Sequence, residues 1–312
     1  MSRLKLISKY IFFLFLGISI PNFLLSQSIK PIKSSPDKLS QNIGEILFIS
    51  NINGVIENCS CGNPPLGGMP QIATIIGQEN KKNKYSYFFD GGDFMNTYPY
   101  PILNSAMIEI YKTINPTFLA LGDQEWIDSD SMDQSVLSEL ADKIIATNYK
   151  VDNKKFKKIG WIALRDGTKA GILTYLDERS FYVSDDKKNI QFDNENFNSI
   201  YNNISSKTGL IVLIFHGTKY TLDILKQDYP KIKLILWAHE QSELEDIQSH
   251  PAIVGGGSDG EHIRQINIFK QGNNYHFIIN SIPVSADISK DPQIESIVEK
   301  FRIADKLEKN GD

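Results

Sequence analysis

Polar residues that could bind a metal or transfer a proton follow five short apolar runs of the sequence, at the point where each run ends. The five segments are Ser50–Gly54, Asp90–Phe94, Gly122–Glu125, Phe215–Thr218 and Trp237–Gln241. In open α/β sheets the carboxyl ends of the strands carry the ligand sites. A single Asp or Gly after a strand ordinarily marks only a turn. Five such segments in order predict instead that their polar side chains converge on one site.

The lengths and the β-branched content of the apolar runs predict buried strands. The predicted strands are Ile46–Ser50, Tyr85–Asp90, Thr117–Leu121, Lys143–Thr147, Ala170–Tyr175, Leu210–Phe215 and Lys233–Trp237. The predicted helices are Met69–Ile76, Pro101–Lys112, Ser131–Leu140, Phe197–Ser206, Thr221–Gln227 and Gln293–Glu308. This alternation predicts βαβ units and a largely parallel sheet. In the last third, residues 252–254, 262–269 and 275–280 are predicted as antiparallel strands joined by glycine-rich turns.

The composition excludes several classes of protein. The chain has 312 residues, of which 41% are hydrophobic, so it can build a core and is not disordered as a whole. The net charge of −4 argues against nucleic acid as the main partner. The 2 cysteines lie within one short stretch, which excludes a disulfide framework.

The N-terminal segment predicts export. Residues 1–26 combine a basic start, an apolar stretch and small polar residues, which is the layout of a secretory signal peptide. Pro21 and Asn22 interrupt the apolar stretch, which is short for a membrane span, and an uncleaved anchor helix is the alternative. Residues 27–43 are polar and predict a linker. We therefore expect a periplasmic or secreted protein without a stable membrane anchor after cleavage.

The order of the five segments resembles the metallophosphoesterase superfamily, and in particular the catalytic domain of the 5′-nucleotidase and UDP-sugar hydrolase family. The family pattern is D-x-H-G, G-D, G-N-H-E, H-x-G, and then G-H-x-H or G-H-x-Q. The resemblance covers residues 44–283. It implies a single α/β domain, built as a four-layer α/β-β/α sandwich with two metal ions at the strand ends. Residues 284–312 would follow as a C-terminal helix.

The resemblance also implies a ligand set for each metal position. The first position would be served by Asp93, Asp123, His216 and His239. Two carboxylates and two imidazoles suit Zn²⁺, Mn²⁺ or Fe²⁺. The second position would be served by Asn51, Asn53, Asp93 and Gln241, with Asn51 and Asn53 standing where the family has Asp and His. Because neutral amides bring no charge, we expect this position to be weak or empty, and the cofactor to be one or two divalent ions.

The third segment carries the candidate catalytic residues. Asp123 stands where the family has Asn, Gln124 stands where it has His, and Glu125 matches the pattern. In the family this histidine assists the phosphoryl transition state or the leaving group. A glutamine donates a hydrogen bond but carries no titratable proton near neutral pH. Losing one of two metal ions would slow hydrolysis further, on the order of 10³-fold or more.

Cys59 and Cys61 form a C-x-C motif after the first segment. The stretch from Asn51 to Gly68 resembles a divergent branch of secreted bacterial proteins that carry a C-x-C or selenocysteine-containing motif. A disulfide within C-x-C closes a tight, strained ring, which raises its reduction potential. A redox-active or metal-binding pair is therefore one interpretation, and a small structural disulfide in an oxidising compartment is the other.

Two functions remain open at this point. The first is an exported metal-dependent phosphoesterase of the 5′-nucleotidase type with a partly degraded two-metal site, which would hydrolyse phosphate esters or nucleotides by metal-bound hydroxide. The second is a non-hydrolytic relative with a redox or binding role centred on Cys59 and Cys61. A small phosphorylated substrate is the partner that the first hypothesis implies, and no protein partner is predicted.

Overall fold

Strands and helices alternate along most of the computed structural model, which describes residues 41–58, 64–127, 138–152 and 154–310. The strands are β1 (Gln41–Ile49), β2 (Ser86–Asp90), β3 (Phe118–Leu119), β4 (Tyr149–Val151), β5 (Gly160–Ala163), β6 (Lys169–Leu176), β7 (Ile190–Phe192), β8 (Ile211–Gly217), β9 (Ile232–His239), β10 (Glu245–Asp246), β11 (Ala252–Gly255), β12 (His262–Gln271) and β13 (Asn274–Pro283). The α-helices are α1 (Met69–Lys82), α2 (Pro101–Ile114), α3 (Asn194–Ile204), α4 (Lys219–Asp228) and α5 (Pro292–Asn310). Short 3₁₀ helices include Gln124–Trp126 and Glu178–Ser180.

Most of the strands belong to two large mixed sheets. The first has the order β13-β12-β1-β2-β3, with β1, β2 and β3 parallel and β12 joined to β1 in the antiparallel direction. The second has the order β10-β11-β9-β8-β6-β5, in which β6, β8, β9 and β11 run parallel. The strands β4 and β7 form a separate antiparallel pair.

Alternating side chains along the strands divide the core into three apolar clusters. In β1, Ile46 and Phe48 pack against the second sheet, whereas Leu47 packs on the side of helices α1, α2 and α5. In β8, Ile214 packs against the first sheet, whereas Phe215 packs on the side of α3 and α4. The layers therefore run helix, sheet, sheet, helix, and the predicted four-layer sandwich is confirmed.

One predicted strand direction holds only in part. Residues 252–254 were predicted as an antiparallel strand, and β11 does pair in that direction with β10. With β9, however, β11 runs parallel, with Ala252 opposite Leu234 and Gly255 opposite Trp237. The chain returns from the end of β9 to the start of β11 through a loop that contains only the short strand β10. Because no helix marks this crossover, the sequence has none of the usual signs of a parallel connection.

Other predictions hold in part. Residues 143–147 form isolated bridges, Ile144 to Leu119 and Ile145 to Lys157, rather than a full strand. The strands β4, β5, β7 and β10 were not predicted. The predicted helix over 131–140 lies largely outside the described residues.

The ends of the chain bear on the predicted domain boundaries. Residues 1–26 and most of the predicted linker lie outside the described residues, and β1 begins at Gln41, inside that linker. The C-terminal segment forms α5, which buries Ile294, Ile297 and Val298. None of the helices in the described ranges combines the length and the apolar composition that a membrane span requires. The boundaries 44–283 and 284–312 stay predictions.

We expect Ile46→Ala to lower the free energy of unfolding by about 2–5 kcal/mol, because Ile46 is fully buried between the two sheets and the lost methyl groups leave a cavity. Urea unfolding at equilibrium measures this change. The matched control is Ile303→Ala on α5, where Ile303 is 54% exposed and the cost should stay within about 0.5 kcal/mol. If both variants lost the same free energy of unfolding, this would contradict the position of Ile46 in the core.

Candidate metal centre

The loops at the carboxyl ends of the strands hold five of the predicted site residues in a left-handed backbone conformation. The φ angles are 53° for Asn51, 56° for Asn53, 57° for Asp93, 80° for His239 and 50° for Gln241. This conformation is uncommon outside glycine, and residues held in it cluster at functional sites. Hydrogen bonds from the surrounding loops hold Asn51, Asn53, Asp93 and His239 in this conformation.

A single buried carboxylate joins two of the loops. Glu125 accepts the backbone N–H groups of Asp93 at 2.9 Å and Gly122 at 2.6 Å on one oxygen. Its other oxygen accepts those of Phe94 at 2.8 Å and Met95 at 3.1 Å. Burial raises the pKa of Glu125 to about 7, and the nearby charge of Asp93 adds to the rise. The loop after β2 and the loop after β3 thus share one set of hydrogen bonds.

A second buried acid shapes the same turn. Asp90, at the end of β2, accepts the backbone N–H of Gly92 at 2.7 Å and the hydroxyl of Tyr111 from α2. Burial raises the pKa of Asp90 to about 8. The helix α2 is thereby tied to the glycine turn that precedes Asp93.

Four ionisable side chains converge where the loops after β2 and β3 meet the ends of β8 and β9. Asp93, Asp123, His216 and His239 each offer one ligand atom, and these atoms all lie within 4.8 Å of one another. Asp123 Oδ1 lies 3.1 Å from His216 Nε2 and 3.0 Å from His239 Nδ1. Asp93 Oδ2 lies 3.4 Å from His216 Nε2. A candidate metal-binding group is present, formed by residues from both sheets.

The hydrogen bonds of His216 show that this group fits a cation. Its Nδ1 lies 2.9 Å from the carbonyl oxygen of Gly91, so Nδ1 carries a proton and donates it. In the neutral ring Nε2 then directs a lone pair at the oxygens of Asp93 and Asp123, which is repulsive unless a cation or a second proton lies between them. Burial alone would lower the pKa of His216, but the carboxylates of Asp93 and Asp123 raise it well above its usual value.

Gly122 lets the backbone approach the side chains of the cluster closely. A Cβ atom on Gly122 would lie 2.2 Å from Asp93 Oδ1 and 2.3 Å from His216 Cε1. The two loops and β8 therefore approach each other only because residue 122 has no side chain.

The amides predicted for the second metal position are bonded to the protein. Asn51 accepts the backbone N–H of His239 at 2.9 Å and donates to the carbonyl of Gly257 at 2.6 Å. Asn53 accepts from Gln124 Nε2 at 2.9 Å and donates to Asp259 Oδ1 at 2.7 Å. Both ends of both amides are thus used in holding the loops together.

Gln241 takes no part in this network. It is exposed and makes no hydrogen bond to the other site residues that the structure describes. Gln241 and His239 both line a cavity of about 350 Å³ beside the cluster. Its predicted role as a metal ligand, like those of the other site residues, stays a prediction.

The sequence interpretation missed several residues that shape the site. Gly91 lies within the segment Asp90–Phe94, but nothing in the sequence indicates that its carbonyl fixes the protonation of His216. Asp259, which bonds to Asn53, lies in a segment without periodicity and gave no signal. Cys59 and Cys61 lie outside the described residues, so their proposed redox role stays a prediction.

No protein-family model matches the sequence, and no curated protein matches it either. Solved structures do match. The sulfate thiohydrolase SoxB of Thermus thermophilus has a TM-score of 0.71 at 12% identity, over 83% of this chain and 60% of that one. A 5′-nucleotidase precursor of the same organism has a TM-score of 0.71 at 12% identity, over 85% of this chain and 59% of that one.

A third solved structure, the calcineurin-like phosphoesterase YfkN of Bacillus subtilis, has a TM-score of 0.65 at 13% identity, over 85% of this chain and 98% of that one. The chain thus spans about 60% of the length of SoxB and of the 5′-nucleotidase, but nearly all of the YfkN structure. At such low identity the likeness concerns the fold. The chain has a metallophosphoesterase fold of the kind found in the 5′-nucleotidases.

Proposed function

We propose that this protein is a metal-dependent hydrolase of small phosphate esters that uses one transition metal ion. The observation that carries the proposal is the convergence of two carboxylates and two imidazoles within 4.8 Å at the strand ends. Zn²⁺, Mn²⁺ and Fe²⁺ are the ions that this donor set favours. The structural neighbours include a 5′-nucleotidase and a phosphoesterase, which supports phosphate esters and nucleotides as the substrate class.

Asp93, Asp123, His216 and His239 would hold the ion. When bound, the ion would act as a Lewis acid on a phosphoryl oxygen and would lower the pKa of a water molecule. The carbonyl of Gly91 keeps a proton on Nδ1 of His216, so that Nε2 is the nitrogen offered to the ion. Glu125 keeps the loops of Asp93 and Asp123 at a fixed separation.

Gln124 would act on the substrate through hydrogen bonds alone. Its Nε2 donates to Asn53, whereas its Oε1 is buried and has no partner among the described residues. Since an amide carries no titratable proton, the leaving group would have to obtain its proton from solvent.

The neutral second position supports a single ion. In the predicted ligand set for that position, only Asp93 is charged, and both asparagines already have hydrogen-bond partners in the loops. A second cation would have to break these bonds without gaining charge neutralisation. We therefore propose a partly degraded two-metal site that retains one functional ion.

Residues 1–26 have the layout of a signal peptide, so we further propose that the enzyme acts outside the cytoplasm. Small phosphorylated compounds in the periplasm or the medium would then be its substrates.

The first test is metal content. Plasma emission spectroscopy of the purified protein should find about one transition metal ion per chain, and Asp123→Ala and His216→Gln should each reduce it to a small fraction. Turnover of p-nitrophenyl phosphate should fall by about 10²-fold or more in both variants, because the ion supplies the Lewis acid. The control is His276→Gln, an exposed histidine on β13, which should retain metal and turnover. Metal-free wild-type protein, or full activity in either site variant, would refute the proposal.

The second test restores the missing ligands. The double variant Asn51→Asp/Asn53→His adds one carboxylate and one imidazole beside Asp93, so it should bind about two ions per chain and hydrolyse p-nitrophenyl phosphate at least about tenfold faster. The matched control makes the same exchanges on β13, as Asn280→Asp/Asn274→His, where both asparagines are exposed. Two ions in the wild-type protein, or one ion in the double variant, would contradict the single-ion proposal.

A further inference from the structure

A cavity of about 350 Å³ opens directly beside the metal cluster. Arg179, Tyr182, Thr218, His239, Glu240 and Gln241 line it. Because His239 belongs both to the cluster and to the cavity wall, a molecule bound in this cavity lies next to the atoms that would react.

Tyr182 presents an aromatic ring at the mouth of this cavity. Its side chain is 90% exposed, and its ring centroid lies 6.2 Å from that of His239 at an interplanar angle of 31°. An almost fully exposed tyrosine gains little from burial in the fold, so its ring is available to a ligand. Aromatic faces bind planar groups in offset stacks.

Arg179 supplies a positive charge in the same cavity. Its guanidinium lies 5.0 Å from the ring centroid of Tyr220, which supports it from one side. Asp177 lies 3.9 Å from this guanidinium, but its carboxylate is already bonded to the hydroxyl of Thr218 at 2.7 Å and to the backbone N–H of Arg179 at 3.0 Å. Within the described ranges the guanidinium makes no hydrogen bond of its own, so its donors can bind an anion.

The one carboxylate in the cavity wall has a partner elsewhere. Glu240 accepts the backbone N–H of Lys219 at 3.0 Å, at the start of α4. The positive end of that helix attracts the carboxylate and reduces its competition for Arg179.

We infer that Arg179 and Tyr182 form a binding subsite for phosphate esters whose leaving group is a planar ring. Arg179 binds the anionic oxygens of the phosphoryl group, and Tyr182 stacks on the ring of the leaving group. This subsite rests on the proposed function, and it adds a preference for aryl over alkyl phosphates. Neither residue belongs to the five segments from which the metal cluster is built.

Kinetics on two substrates test the preference. Tyr182→Ala should raise KM for phenyl phosphate about five- to tenfold while leaving KM for glycerol 2-phosphate unchanged, because only the first substrate stacks. Tyr182→Phe should retain the wild-type ratio of the two KM values. Arg179→Gln should raise KM for both substrates about tenfold, because both present the same anion. Metal content, measured on each variant, should equal that of the wild-type protein.

The control is Tyr98→Ala. Tyr98 is also an exposed tyrosine, 59% accessible, but it stacks on Tyr100 and does not line this cavity. The Tyr98→Ala protein should show wild-type KM values. If Tyr182→Ala and Tyr98→Ala behave alike while the enzyme hydrolyses both substrates, the subsite is refuted and the proposed function stands.

A binding measurement separates the two proposals. Calorimetric titration with phenylphosphonate, which resists hydrolysis, should give an affinity that Tyr182→Ala and Arg179→Gln each weaken about tenfold and Tyr98→Ala leaves unchanged. If these weakened affinities are found in a protein that hydrolyses no phosphate ester, the subsite stands and the proposed function fails. If phenylphosphonate does not bind, or binds all variants equally, the subsite is refuted whatever the turnover.

Discussion

The geometry of the candidate metal centre depends on the carboxylate of Glu125, because that group holds together two loops that come from different strands. Four backbone N–H groups point at its two oxygens, from Asp93, Phe94, Met95 and Gly122. Without a buried acceptor these donors would be unsatisfied, at a cost of about 1–3 kcal/mol each. These bonds fix the two loops relative to each other, which keeps Asp93 and Asp123 within reach of the histidines of the second sheet.

The amide network on the other side of the site follows the same physical rule. An asparagine at position 51 can accept from His239 and donate to Gly257 at once, whereas an aspartate can only accept. An aspartate there would face the carbonyl of Gly257 and would need a cation to offset the repulsion. An asparagine at position 51 therefore joins the loops without an ion. It also lacks the negative charge that would attract a cation to the second position.

Part of this arrangement could be predicted from the sequence, and the reason is topological. The carboxyl ends of parallel strands lie at one edge of a sheet, so polar residues after consecutive strands approach each other wherever the strands are parallel. This rule predicted that the segments of Asp93, Asp123, His216 and His239 converge, and the resemblance assigned the four residues to one metal position. The fold class followed from the alternation of strand and helix, and the layer order followed from the resemblance.

The rest could not be predicted because it depends on contacts between segments without periodic patterns. The parallel direction of β11 follows from a crossover made by a loop, and the bond from Asn53 to Asp259 joins residues that are far apart in sequence. Tyr182 and Arg179 lie between β6 and β7, where no motif marks them. Their proximity to His239 becomes visible only when the second sheet is assembled.

The core and the candidate metal centre are physically separate. The three apolar clusters fill the spaces between the layers without any of the four ionisable residues. Some small metal-binding domains fold only when the metal binds, whereas this fold has apolar clusters in every interlayer space. Four of the five left-handed residues of the site, Asn51, Asn53, Asp93 and His239, are held by hydrogen bonds within the protein, which offset their backbone strain without an ion. Metal binding at the candidate site should therefore leave the folded structure largely unchanged.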